Sequence, residues 1–279
     1  MLECTFRHLT GIGPRAEAKL WAAGCRSWDA LEEGQANGAL PKKVTARRLR
    51  EELDQSRQAL AQGVHQFFAE RLPEAEHWRC LPHFPDTVCY LDIETTGGRP
   101  PDDRITVIGL HDHERYLPFV QGDNLEAFRD AITHYSVVVT FSGGNFDLPM
   151  IRREMGIALD HLHIDLCPAL RRVGVGGGLK KIEQAFGLER SPETRGLTGW
   201  DAVKLWRRHI NGDRKALRLL IEYNRHDVLS LLELGRIAYQ RLREATLENQ
   251  ELPVVKPRRK RWDETSQLAY QLRERRKRP

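Results

Sequence analysis

The sequence predicts an α/β fold: a mixed sheet flanked by helices, with a small helical region before it and a basic tail after it. Three observations predict it. From residue 87 onward, short apolar β-prone runs alternate with stretches of helical periodicity; residues 1–84 carry only the helical pattern; and the final residues are dominated by Lys and Arg. At 279 residues, with 40% hydrophobic and 30% charged side chains, the chain is long enough for one sizeable core plus an appendage. No apolar run approaches the ~20 residues of a membrane span.

The N-terminal third begins with Leu9-Thr10-Gly11-Ile12-Gly13-Pro14, followed by a helix from Ala16 that Gly24 stops, and Ser27 starts another. A Gly-x-Gly turn between short helices leaves backbone amides free to meet a phosphate, and the segment resembles one element of a helix-hairpin-helix DNA-binding module. A helix-capping glycine pair accounts for the same residues. Residues 44–72 predict one long amphipathic helix presenting Leu49, Leu53, Leu60, Val64, Phe67 and Phe68. The stretch 73–85, with three prolines, predicts a linker.

Strands are then expected at 87–94, 104–111, 114–120, 136–141 and 161–166, and helices at 123–134, 146–155, 178–187, 199–211 and 214–243. His111-Asp112-His113 predicts a hairpin turn. The glycines of Gly174-Val175-Gly176-Gly177-Gly178 complete neither a phosphate-binding loop nor a dinucleotide fingerprint, so no nucleotide cofactor is expected. His161-Leu162-His163-Ile164-Asp165 suits an ordinary strand better than a metal loop. Trp200 and Trp206, at helical spacing, are expected in core or domain contacts.

Charge is unevenly placed. From Pro253 onward, ten basic residues face three acidic ones, a net +7; the whole chain carries +5, so the rest sums to −2. A near-neutral body with a polycationic tail, residues 246–279, implies a polyanionic partner, since each neutralised phosphate releases counterions. Trp262 and Tyr270 in that tail suit single strands. The five cysteines are scattered and form no Cys-x-x-Cys pair, and the first residues lack the basic lead and apolar stretch of a signal peptide. The expected setting is the reducing cytoplasm, away from membranes.

The chemistry concentrates on Val88-Cys89-Tyr90-Leu91-Asp92-Ile93-Glu94-Thr95-Thr96-Gly97. Along a strand, Asp92 and Glu94 share one face with Tyr90, while Leu91 and Ile93 take the other. Two adjacent carboxylates on a half-buried strand repel and lose solvation, and a divalent cation removes both objections. Downstream, Asn145-Phe146-Asp147 follows an apolar strand and a two-glycine turn. Tyr223-Asn224-Arg225-His226-Asp227 lies within an apolar-periodic helix. There Tyr223 and Asp227, four apart, share a face with Leu220 and Leu231, so Asp227 points inward, a costly place without a partner. Lys180, Lys181 and Arg190 offer cations for phosphates.

Asp92-x-Glu94, Asn145-Phe146-Asp147 and Tyr223-x-x-x-Asp227, in that order, resemble the three motifs of DEDD-type 3′→5′ exonucleases, which have the ribonuclease-H-like fold. Leu179-Lys180-Lys181-Ile182-Glu183 and Asp201-Ala202-Val203-Lys204-Leu205-Trp206 further resemble the YprB-like branch. The resemblance covers about residues 85–243, within an exonuclease domain expected over 85–245. It implies that Asp92, Glu94, Asp147 and Asp227 hold two divalent cations, Mg²⁺ or Mn²⁺. It also implies the tyrosine type, because Tyr223 stands four before the last Asp while Glu222 occupies the alternative histidine position. Thr95, Thr96, Asn145, Lys180 and Lys181 are the implied contacts to nucleic acid. The expected activity is release of nucleoside 5′-monophosphates from DNA or RNA with a free 3′ end, single-stranded or frayed. A non-catalytic nucleic-acid-binding protein and a structure-specific endonuclease are the alternatives on the same fold.

Overall fold

The computed structural model describes residues 1–34, 36, 38–98 and 102–248; the basic tail beyond, with Trp262 and Tyr270, lies outside the described residues. The N-terminal third holds α1 (Pro14–Ala22), α2 (Trp28–Glu32), α3 (Ala46–Gln62) and α4 (His65–Arg71). The single helix expected over 44–72 is two helices. Gly63 adopts φ +71°, a left-handed conformation that ends α3, and the chain restarts at His65. The Gly11–Gly13 turn leads into α1 with Pro14 at its first position, which removes one of the amides a phosphate would use, and the Thr10 amide donates to Glu52 at 2.8 Å.

The stretch expected as a linker is instead a packed element. Residues Glu74–His83 form a 3₁₀ helix whose Trp78, Arg79 and Cys80 are buried. Arg79 donates to Glu76 at 2.6 Å and to Glu17 of α1 at 3.3 Å, and Glu17 also accepts from the Thr5 hydroxyl and the Phe6 amide. His77 bonds Leu72 O at 3.2 Å and accepts from the His163 amide at 3.1 Å. Pro73 precedes it as the N-cap, Pro82 lies within its last turn and Pro85 follows it.

The sheet runs β1 (Val88–Thr95), β2 (Ile105–His111), β3 (Tyr116–Val120), β4 (Val137–Thr140) and β5 (Leu162–Asp165), in spatial order β3-β2-β1-β4-β5. β1, β4 and β5 are parallel; β1–β2 and β2–β3 are antiparallel, the latter joined by the expected turn, where His113 has φ +73°. Helices α5 (Phe128–Ile132), α6 (Asp147–Met155), α7 (Leu166–Arg172), α8 (Leu179–Ala185), α9 (Gly199–Ile210) and α10 (Arg214–Leu247) cover it. α7 was not expected; Asp165 caps it through the Cys167 amide.

Strand alternation divides the core as the sequence predicts. Val88, Tyr90, Val137, Val139, Leu162 and Ile164 face α7, α10 and the N-terminal third in one continuous cluster. Cys89, Leu91, Ile93 and Val138 face α5 and α6 in a second. Each fully buried Leu or Phe contributes about 1.5–3 kcal/mol, so the cluster shared by the N-terminal third and the sheet is a large stabilising surface. All five cysteines are free and buried. Trp206 is buried as expected, with Trp21, Trp28 and Trp78, but Trp200 is 52% exposed. Among the described residues, no helix is long and apolar enough to cross a membrane.

Candidate active site

The site forms where β1 ends, because three separate elements deliver carboxylates there. β1 brings Asp92 and Glu94, and α10 brings Asp227, one turn after Tyr223. One carboxylate oxygen from each of Asp92, Glu94 and Asp227 lies within 4.8 Å of the others. Asp147 arrives from the start of α6 and accepts from the Ile93 amide at 3.2 Å, which fixes it beside β1.

The turn that carries Asp147 is built by β5. Asp165 accepts from the Ser142 amide at 2.7 Å and the Gly144 amide at 3.2 Å. Ser142 sits at φ +63°, and a Cβ on Gly143 would come within 2.4 Å of the Thr140 hydroxyl, so this tight path needs glycine there. His163 shares the scaffold, bonding Thr140 at 2.9 Å and Glu74 at 2.7 Å. The His161–Asp165 segment thus holds a strand, as the sequence predicts, and that strand supports the site.

Two residues that sequence reasoning did not assign complete the cluster. Asn224, fully buried, donates to Asp92 Oδ2 at 2.9 Å and to Glu94 Oε1 at 3.5 Å, while its carbonyl accepts from the Tyr116 hydroxyl at 2.8 Å. Its signal was a buried amide three residues before Asp227, on the same helical face. Gly109 is the other. It pairs with Asp92 across the ladder, and a Cβ there would sit 1.8 Å from Asn224 Oδ1 and 2.9 Å from the Tyr116 ring. Gly109→Ala is therefore expected to cost about 1–3 kcal/mol through forced displacement of Asn224, which urea denaturation measures. Wild-type stability in that variant would show that the amide is not held where described.

Arg190, expected to offer its charge to phosphate, is committed inside the protein. It donates to Glu183 at 2.6 and 2.8 Å and to the Asp227 carboxylate, with all three side chains at most 8% exposed. Lys180, expected at the strand backbone, instead donates to the Tyr223 hydroxyl at 2.9 Å and to Leu197 O. Lys181 is exposed on α8. The Thr96 hydroxyl donates to Asp103 at 2.9 Å and accepts from the Arg104 amide at 3.0 Å, and its own amide is bonded to Arg104 O, so Thr96 shapes the loop. The Thr95 hydroxyl accepts from the Gly97 amide at 3.2 Å. Asn145 is exposed and lines a cavity of ≈ 450 Å³ with Trp78, Asp165 and Arg172. His226 stands apart from the four clustered acids, accepting from the Ser191 amide beside Glu222.

The electrostatics are those of an anionic cage. Burial, then the charges of Asp227 and Asp147, push Asp92 well above the usual carboxylate range; burial and Asp227 do the same to Glu94. Asp227 is raised by burial against the lowering pull of Arg190. Tyr223 is raised by burial and Asp227, so its phenol stays protonated. Burial lowers Lys180.

Burial lifts Asp147 to about 7. The folded chain then keeps a proton that an unfolded Asp, titrating near ~4, has released. Metal-free stability from this group is present at low pH and is lost as pH rises through that interval. In EDTA, Asp147→Asn should accordingly gain little Tm over wild type near pH 4 and its full gain above about pH 7. Thermal melts across that range check it; a gain independent of pH would refute the burial of this carboxyl.

A carboxylate set of this kind, all oxygen and strongly anionic, suits hard divalent cations in place of zinc or copper, and it is destabilised without positive charge. The comparison with family models agrees with the fold. A family model described as RNase_H superfamily matches residues 89–239, more than half of the chain. Among solved structures, the chain is similar to a family B DNA polymerase from the hyperthermophilic archaeon Pyrobaculum calidifontis, at 18% identity and a TM-score of 0.45, over 54% of this chain and 24% of that one. The chain thus spans about a quarter of the polymerase it matches. No curated protein matches.

Proposed function

The chain belongs to the RNase H superfamily, and from that premise of a nuclease fold acting on nucleic acid we propose a metal-dependent 3′→5′ exonuclease of the tyrosine DEDD type, in the YprB-like branch. The carrying observation is the convergence of Asp92, Glu94 and Asp227 within 4.8 Å, with Asp147 tied to the same strand. Asp92, Glu94, Asp147 and Asp227 would hold two divalent cations, Mg²⁺ or Mn²⁺. When bound, such ions supply Lewis-acid activation of water and neutralisation of the charge developing on the phosphate.

The rest of the work falls to this chain's own residues. Asn224 holds Asp92 and Glu94 in one orientation, so the ligands are preorganised. Lys180 donates to the Tyr223 oxygen, which leaves the phenol's own hydrogen to orient a water at the scissile phosphate. Because that phenol is held protonated, it positions the water without deprotonating it. Arg190 offsets part of the negative charge of Asp227 and Glu183. Thr95 and Lys181 remain available for the strand, and the polycationic tail for its backbone. Free cysteines fit a cytoplasmic setting.

Digestion of 5′-labelled DNA and RNA oligomers with Mg²⁺, Mn²⁺ or EDTA tests the proposal. The expected result is a ladder shortening from the 3′ end, metal-dependent, with mononucleotide products; the same assay reads sugar preference. Oligonucleotide products from a 3′-blocked substrate would select an endonuclease. Binding without any metal-dependent cleavage would leave a nucleic-acid-binding protein.

A further inference from the structure

Few large apolar side chains are strongly exposed among the described residues, and Trp200, at 52%, is the bulkiest of them. It stands at the second residue of α9. Arg207, two turns on, brings its guanidinium carbon to 5.2 Å from the indole centroid, and exposed Lys204 lies between them on the same side. No packing demand explains an indole left in solvent with a guanidinium against it.

The position of this face gives it a purpose. Val203, one turn from Trp200, packs against Gly97, where a Cβ would come within 2.6 Å of Val203 Cγ2. Gly97 is three residues beyond Glu94 on the chain leaving β1. Leu197, three residues before Trp200, accepts from Lys180, whose ammonium also holds the Tyr223 hydroxyl. Two independent attachments therefore place the start of α9 at the mouth of the acidic cluster.

We propose that Trp200, with Arg207 behind it, is a stacking platform for an unpaired nucleobase of the strand whose 3′ end lies among the carboxylates. This rests on the exonuclease reading above and adds how the substrate class is chosen. An aromatic face takes any base, and neighbouring cations meet the phosphates. Arg207 against the ring adds a cation–π contact that fixes the indole before the base arrives. In a duplex both faces of a base are covered by its neighbours, so the platform selects single strands. Arg207 supplies the flanking positive charge, Lys204 and Arg208 being paired with Asp201 and Asp213, and a cation beside the ring fits a polyanion and disfavours an apolar protein segment.

Trp200→Ala is compared with Trp200→Phe and with Ile210→Ala, a change at an exposed apolar residue at the other end of α9. Two readouts are taken: KM against kcat for digestion of oligothymidylate with Mn²⁺, and fluorescence anisotropy of the labelled oligomer with Ca²⁺ in its place. Trp200→Ala should raise both KM and Kd for the single strand by about tenfold, with kcat changing much less, as loss of one stacked base predicts. Trp200→Phe should recover most of the loss, Ile210→Ala should match wild type, and a blunt duplex should lose less than the single strand. An alanine variant within about twofold of wild type on the single strand would overturn the platform, as would an equal loss on duplex. Wild-type protein that binds but never cleaves would end the exonuclease reading instead, while the anisotropy comparison would still decide the platform.

Discussion

Asp92→Asn is expected to lower metal-dependent release of mononucleotides on the order of a thousandfold, because a lost ligand removes several kcal/mol of transition-state stabilisation. The same variant should be at least as stable as wild type in EDTA. Burial and the charges of Asp227 and Asp147 penalise ionised Asp92, and an amide of the same shape carries no such penalty. The pairing of the two outcomes matters more than either alone. An inactive variant that also melted early would point to misfolding, whereas inactivity with a level or raised Tm identifies a carboxylate retained for chemistry at a cost in stability. Undiminished digestion by the purified variant would refute the assignment.

Arg190→Ala is expected to destabilise by about 3–5 kcal/mol, because it removes the guanidinium bonded to the buried Glu183 and Asp227 carboxylates. Adding Glu183→Gln should recover part of that loss, since the amide needs no cation. Urea denaturation of the single and double variants measures both effects at constant m-value. If Arg190→Ala cost no more than an ordinary surface change, the buried triad would not be as described.

Much of this was legible in the residues. Alternation alone placed Asp92 and Glu94 on the Tyr90 face, and the helical repeat turned Asp227 inward with Tyr223 beside it. What was not legible depends on contacts between distant segments. Nothing local distinguishes a Lys180 reaching for phosphate from one bonded to Tyr223, or an Arg190 facing solvent from one bound by Glu183 and Asp227. Gly109 drew no attention in the sequence, because its reason lies more than a hundred positions away in Asn224. The prolines of 73–85 read as a linker because proline statistics describe the backbone and say nothing of Trp78 and Arg79, whose burial makes that segment an element. Trp200 and Trp206 share a helical period, and only the packing of α9 decides which of them meets water.

The segment Glu74–His83 fastens Glu17 on one side and His163 on the other, and His163 belongs to the strand whose Asp165 builds the Asp147 turn. The front third is consequently no detachable handle. Split at Pro73, both fragments would bare the apolar surface they now share, and the buried Arg79 would lose Glu17, its partner across the cut.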